Sequence, residues 1–317
     1  GLCQQNKTNE DSECDNVDNE IIKKYKNNIK TIKIDYTHAK GPTYARALAS
    51  TLWNGQDYFL QSDSHVLMAK DWDEKAINMI NEIKSTTDSK KVILSHYTDL
   101  YENHGKPNPT NTVPRNCTAF FNEQGLISFN GAENISIKKN EYHKTPFIAG
   151  GFLFTESQFL KDVPFDPELP YLFVGEEILL SIRSYTSGYD IYTPSENLMF
   201  HLYTREKENK IWTDKTYKDD DAVKKVKFIL QLDNVSVPEY LRDSTAKYNL
   251  GKVRTLQEYY DFAGIDIKNK KIYKNFCHPE LNSSKGTGGN YLYCIEITLF
   301  ILISILIYLI YLITTSF

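Results

Sequence analysis

Apolar residues alternate with polar ones in "TIKIDYTHAKG", where Ile32, Ile34 and Tyr36 take every second position. That period predicts a strand with one buried face. Gly41-Pro42 breaks it, and "PTYARALASTLWNG" predicts a helix, with proline near its first turn and Gly55 near its end. "YFLQSDSH" predicts a short strand running into a polar turn. "DWDEKAINMINEIKS" predicts a helix capped by Asp73, with Ala76, Ile77, Ile80 and Ile83 as its apolar stripe. "KKVILSHY" is apolar enough for a buried strand. The order strand, helix, strand, helix, strand predicts an α/β layer with parallel strands. Residues 4–20 are polar and acidic, without an apolar period, and read as a loop.

Past Tyr97 the pattern changes. Pro and Asn gather at 107–114 and predict a loop. "CTAFFNEQGLISFNG" predicts a hairpin turning at Asn122 to Gly125. "TPFIAGGFLFTESQFL" is apolar around a Gly-Gly pair. "VPFDPELPYLFVGEEILLSIRSYTSGYDIYTP" contains a helix, framed by prolines before it and Gly188 after it. "NLMFHLYTRE" predicts a strand or its exit. Residues 215–275 read as mostly helical, most clearly in "DAVKKVKFILQL" and "TLQEYYDFAGI". A Gly/Ser-rich linker follows at 282–293. From Ile297 to Ile313 there is no charge. That run predicts a transmembrane helix over 294–317, a single-pass C-terminal anchor. The folded part would then face the cytosol, with the Golgi or ER lumen as the alternative.

A chain of 317 residues holds one large domain or two small ones, and 41% hydrophobic residues permit a sizeable core. The net charge of −4 is no footprint for nucleic acid, so no nucleic-acid partner is expected. Five cysteines, Cys3, Cys14, Cys117, Cys277 and Cys294, make no disulfide framework in a chain this long. No Cys-x-x-Cys occurs, which argues against structural zinc. Cys3 and Cys14 could pair in an oxidising compartment, with free thiols as the alternative.

The candidate chemistry starts at Asp63-Ser64-His65. Open α/β sheets bind ligands outside the carboxyl ends of their strands, and the triplet follows such an end. Two residues apart in an extended segment, Asp63 and His65 point the same way. A carboxylate and an imidazole suit a borderline divalent ion such as manganese, which would neutralise a diphosphate leaving group. An ordinary polar turn is the other reading. His201 follows a similar apolar run and would be a third ligand, or a satisfied polar residue at a strand end. Glu176 and Glu177 open an apolar helix, either favouring its dipole or aimed at sugar or acceptor hydroxyls. Gly150-Gly151 allows close backbone approach to a ligand, or a tight turn. Arg46 lies on the helix before the triplet and could meet a phosphate, or be a surface arginine.

Together these segments carry a resemblance. "GPTYARALASTLWNGQDYFLQSDSHVLMAKDWDE" resembles the signature block of glycosyltransferase family sixty, the polypeptide and hydroxyproline N-acetylglucosaminyltransferases. "AGGFLF", "VPFDPELPYLFVGEE", "YTSGYDIYTP", "HLYTRE" and "LGKVRTLQEYYDFAGI" follow in the same order, over about residues 1–275. The resemblance implies a GT-A-like (Rossmann-like) mixed sheet flanked by helices, a UDP-GlcNAc donor, Mn2+ or Mg2+, and retention at the anomeric carbon. It implies a hydroxyl of a protein acceptor, on hydroxyproline, Thr or Ser. It makes Asp63, His65 and His201 metal ligands. Arg46, Asp63, Ser64, Gly150 and Gly151 become donor-binding residues, and Glu176 and Glu177 catalytic ones. Members of the family open with a strand and a Ser-Tyr-Arg-Asp type segment. "GLCQQNKTNEDSEC" instead resembles the second strand or the part just after it, so the N-terminal strand is expected to be missing, with weakened UDP binding. The expected organisation is an N-terminally truncated glycosyltransferase domain over 1–217, a helical extension over 218–281, the linker and the membrane segment. A membrane-anchored inactive homologue that binds a protein or glycan, or the same fold with another UDP-sugar, are the alternatives.

Overall fold

The computed structural model describes residues 1–6, 20–204 and 218–282. Its first part holds β1 (Leu2–Asn6), α1 (Glu20–Tyr25), β2 (Thr31–Asp35), α2 (Gly41–Ser50), β3 (Tyr58–Ser62), β4 (Val66–Met68), α3 (Trp72–Thr86), β5 (Lys91–Ser95) and β6 (Asp99–Leu100). The middle holds β7 (Thr112–Asn116), β8 (Ala119–Phe121), β9 (Ile127–Phe129), β10 (Ala132–Ser136), β11 (His143–Thr145) and β12 (Phe152–Glu156). Then come α4 (Phe159–Asp162), α5 (Glu176–Thr186), β13 (Tyr189–Thr193) and β14 (Met199–His201). The chain continues through α6 (Asp220–Ile229), α7 (Arg242–Lys247), α8 (Leu256–Ala263), β15 (Ile265–Asp266) and β16 (Lys271–Ile272).

The main sheet has the order β11-β13-β5-β12-β3 and is mixed. β13 runs parallel to β5, while β12 is antiparallel to both β5 and β3. β3 and β5 therefore point the same way, as their βαβ spacing predicts, but they are not neighbours. β12 enters between them because it is apolar on both faces. Phe152 and Phe154 pack towards α3 with Val92, Leu94, Ala76, Met79, Ile80 and Ile83. Leu153 packs on the other side with Ile93, Ile191, Ala47, Phe159 and Leu180. The period-2 alternation of each strand divides the core between the two faces.

α5 is buried nearly all round, the mark of a helix inside a core rather than on its surface. Leu180 meets the sheet. Ile178, Leu179 and Ile182 meet α6, α8 and the β8–β9 hairpin. The hairpin turns at Asn122 to Gly125, where sequence placed it, and Asn122 N–H donates to Leu126 O at 2.9 Å.

Several expectations are corrected. The cap position of α3 is taken by Asp71, in left-handed conformation, and Asp73 falls inside the first turn. Part of the expected N-terminal loop is β1, which pairs in parallel with β2. Among the described residues Cys3 is a free thiol, and the disulfide joins Cys117 to Cys277. Partners 160 residues apart leave no signal in spacing. Cys14 and Cys294 lie outside the described residues.

The fold class is mixed α/β, but the expected C-terminal transmembrane helix, and the membrane location and membrane partner built on it, are not supported. Among the described residues no helix is long and apolar enough to cross a membrane. The longest, α3, has 15 residues and carries Asp73, Glu74 and Lys75, whereas a span needs about 20 apolar residues. The apolar run at 294–317 itself lies outside the described residues.

Candidate active site

Three separate pieces of chain meet at the carboxyl end of β3. Asp63 directly follows that strand, and its N–H donates to Gly151 O at 3.3 Å, across the β3–β12 ladder. His65 directly precedes β4. A small sheet of order β4-β14-β6 sets His201 opposite Val66, and Leu202 N–H donates to His65 O at 3.0 Å. The two imidazoles are thereby stacked edge to face, with centroids 4.3 Å apart. One ligand atom from each of Asp63, His65 and His201 lies within 4.8 Å of the others.

The donor set fits a borderline divalent ion. His201 Nε2 lies 3.2 Å from Asp63 Oδ2, while its Nδ1 is buried with no hydrogen-bond partner among the described residues. Burial pushes the Asp63 carboxyl up, but the His201 hydrogen bond and the Arg46 charge outweigh it and hold it down at about 2. Asp63 is therefore an anion throughout the neutral range. Carboxylate and imidazole together suit manganese or a similar metal.

Arg46, on α2, lies between two acids. Its Nη2 donates to Asp63 Oδ1 at 2.9 Å, and its Nη1 pairs with Glu176 Oε2. Neither Glu176 nor Arg46 is a surface charge: the side chains are 8% and 19% exposed. The arrangement is an internal charge network and not a solvated helix start.

Glu177 is fully engaged. Its Oε1 accepts from Gly150 N–H at 2.7 Å, and its Oε2 from the Tyr97 hydroxyl at 2.9 Å. Burial pushes its carboxyl up to about 7, although the bonds from Gly150 and Tyr97 pull downwards. α5 aims both glutamates inwards because Gly175, at φ 105°, makes the left-handed entry to the helix that a residue without Cβ adopts readily. The Gly-Gly pair is needed for closeness. A Cβ on Gly151 would lie 3.1 Å from Asp63 Oδ2, and one on Gly150 3.1 Å from Arg46 Nη1.

The structure thus brings Arg46, Asp63, His65, Gly150, Gly151, Glu176, Glu177 and His201 into one connected group. Ser64 is exposed at the turn, with its Oγ 3.3 Å from His65 Nδ1. Tyr97 was missed by sequence reasoning, although it follows β5 at the same carboxyl edge of the sheet.

The sequence profile described as Glycosyltransferase (GlcNAc) matches residues 3–269. The chain belongs to this glycosyltransferase family. A comparison with curated proteins gives no match. Among solved structures, a crystal structure of GalNAc-T7 with UDP, GalNAc and Mn2+ aligns at a TM-score of 0.49 and 14% identity, over 80% of this chain and 49% of that one. S. aureus TarS, residues 1–349, aligns at a TM-score of 0.37 and 15% identity, over 77% of this chain and 59% of that one. The chain therefore spans about half the length of these solved proteins. As a GlcNAc-family glycosyltransferase domain, it carries its possible metal ligands and its buried acid pair inside the matched residues.

Proposed function

We propose that this chain catalyses metal-dependent, retaining transfer of GlcNAc from UDP-GlcNAc to a hydroxyl of a protein acceptor, on hydroxyproline, Thr or Ser. The finer placement in glycosyltransferase family sixty belongs to the same reading. The observation that carries it is the convergence of Asp63, His65 and His201 within 4.8 Å, beside the Arg46–Glu176 pair.

In this reading Asp63, His65 and His201 hold Mn2+ or Mg2+, which when bound supplies positive charge to the departing diphosphate. Arg46 answers the diphosphate charge and keeps Asp63 oriented. Ser64, exposed beside His65, offers a hydroxyl on the donor side. Gly150 and Gly151 leave room for the sugar, with no side chain over it. Glu176 and Glu177 present carboxyls to donor and acceptor. The bond from the anomeric carbon to the diphosphate breaks as the acceptor oxygen bonds to that carbon from the same face. The acceptor proton leaves with the UDP oxygen. Fixed dipoles and charges aimed at the developing anion lower the barrier.

Asp63→Asn tests the reading. It keeps the size of the side chain and removes its charge. Transfer of labelled sugar from UDP-GlcNAc and hydrolysis of UDP-GlcNAc, both with Mn2+, should fall at least about a hundredfold, the scale of losing one essential electrostatic group. Unchanged turnover would remove the metal assignment. Absence of both activities in the unsubstituted chain would favour a non-catalytic binding module.

A further inference from the structure

The turn that carries the Gly-Gly pair is held from outside itself. It runs from Ala149 to Phe152, with Phe152 N–H donating to Ala149 O at 3.3 Å. Two successive glycines are the most flexible pair a chain can have, so a turn built on them does not keep one shape unaided. Here buried side chains fix its polar groups. Ser181 Oγ accepts from Ile148 N–H at 2.8 Å, just before the turn. Ser95 Oγ accepts from Ala149 N–H at 2.9 Å and donates to Phe152 O at 2.6 Å, reaching across the turn. Gly150 is gripped twice. Its N–H donates to Glu177 Oε1 at 2.7 Å, and its C=O accepts from Gln61 Nε2 at 2.6 Å.

Gln61 breaks the pattern of its own strand. β3 sets it opposite Leu153, on the face that packs with Ala47, Ile93 and Leu180. Phe59, two residues earlier, lies on the same face. The alternation calls for an apolar residue, yet an amide stands there, only 6% exposed. Its Oε1 is buried with no hydrogen-bond partner among the described residues. A buried acceptor left unpaired offsets the bond that Nε2 gains. Stability alone is therefore served as well by an apolar side chain of similar size. Such a side chain has no donor with which to hold Gly150 O.

We propose that Gln61 is a positioning residue for the donor sugar, acting through Gly150. The proposal rests on the reading that Gly150 and Gly151 face the sugar of a UDP-sugar. The space at that backbone is narrow. A Cβ on Gly150 would lie 3.1 Å from Arg46 Nη1, and one on Gly151 3.1 Å from Asp63 Oδ2. A turn that drifts by a fraction of an ångström therefore changes the room for the sugar, whereas the diphosphate keeps its partners Asp63 and Arg46. Gln61 itself touches neither.

Gln61→Met tests this, because it keeps the length of the side chain and removes its donor. Gln61→Leu, the residue type that the strand pattern calls for, is the second variant should the first not fold. Calorimetry with Mn2+ compares UDP with UDP-GlcNAc. Each variant should bind UDP as the unsubstituted chain does, and UDP-GlcNAc about tenfold more weakly, the usual effect of removing the support behind a binding group. Hydrogen exchange of the full chain, read by mass spectrometry without nucleotide, should show the amides at 148–152 exchanging several-fold faster, as local opening predicts. The melting temperature should change little, since bond and unpaired acceptor leave together. A merely structural glutamine would lower the melting temperature and weaken both nucleotides alike. That result, equal loss or no loss for the two nucleotides, or unchanged exchange at 148–152 would overturn the proposal. If the unsubstituted chain binds neither nucleotide while exchange still quickens in the variants, the transferase reading falls and the hold of Gln61 on the turn stands.

Discussion

Glu177 sets the proton balance of the site. Its carboxyl is raised to about 7 in the folded protein, from an ordinary value of 4.5. Between those values the folded chain holds a proton that the unfolded chain has released. Stability therefore falls as pH rises through that window, by about 3 kcal/mol in all. Glu177→Gln removes this dependence. Urea unfolding of the two proteins at pH 5 and pH 8 should show the variant gaining on the unsubstituted chain by roughly that amount. Parallel behaviour would mean that Glu177 is ionised in the fold. Gly151 makes a second residue-scale prediction. The methyl of Gly151→Ala would press on Asp63 Oδ2. Mn2+ affinity should drop about tenfold, the usual effect of disturbing a ligand's support, with little change in the unfolding midpoint. At this scale Asp63 and His65 were legible, because two residues apart in an extended segment share a side. Tyr97 was not legible, since its bond to Glu177 spans 80 positions and nothing in "SHY" announces it.

Among the elements, α2, α3, α5, α6 and α8 were legible from their apolar stripes and terminators. α8 also carries a capping box from Thr255 and Glu258. What sequence could not supply was adjacency. β3 and β5 read correctly as strands, whereas the segment that forms β12 read only as apolar around its Gly-Gly pair, and it is the packing of both faces of β12 that puts it between the other two. The Cys117–Cys277 disulfide belongs to the same level. It ties the base of the β8–β9 hairpin to the segment after β16, where Phe276 N–H also donates to Cys117 O at 2.7 Å. A loop this long constrains the unfolded chain strongly, by about 3–5 kcal/mol in the chain-entropy account. Reduction, or Cys277→Ser, should therefore lower the urea midpoint markedly. An unmoved midpoint would show that the hairpin is held by its aromatic packing alone.

On the scale of the whole molecule, the site exists only because distant segments converge. β3 delivers Asp63, β4 fixes His65, β14 carries His201, α2 carries Arg46 and α5 carries both glutamates. The mixed sheet and the order of these motifs were legible through their resemblance to a known family. The terminal apolar run gave no comparable guide, and the described helices offer no membrane span. The central claim is that Asp63, His65 and His201 hold one divalent ion that serves a nucleotide-sugar. Titration of Mn2+ into the chain with saturating UDP, followed by the paramagnetic resonance of free Mn2+, tests it most directly. The account predicts one bound ion per chain, lost in Asp63→Asn and in His201→Ala with unchanged unfolding midpoints. Equal Mn2+ binding by the unsubstituted chain and both variants would contradict it.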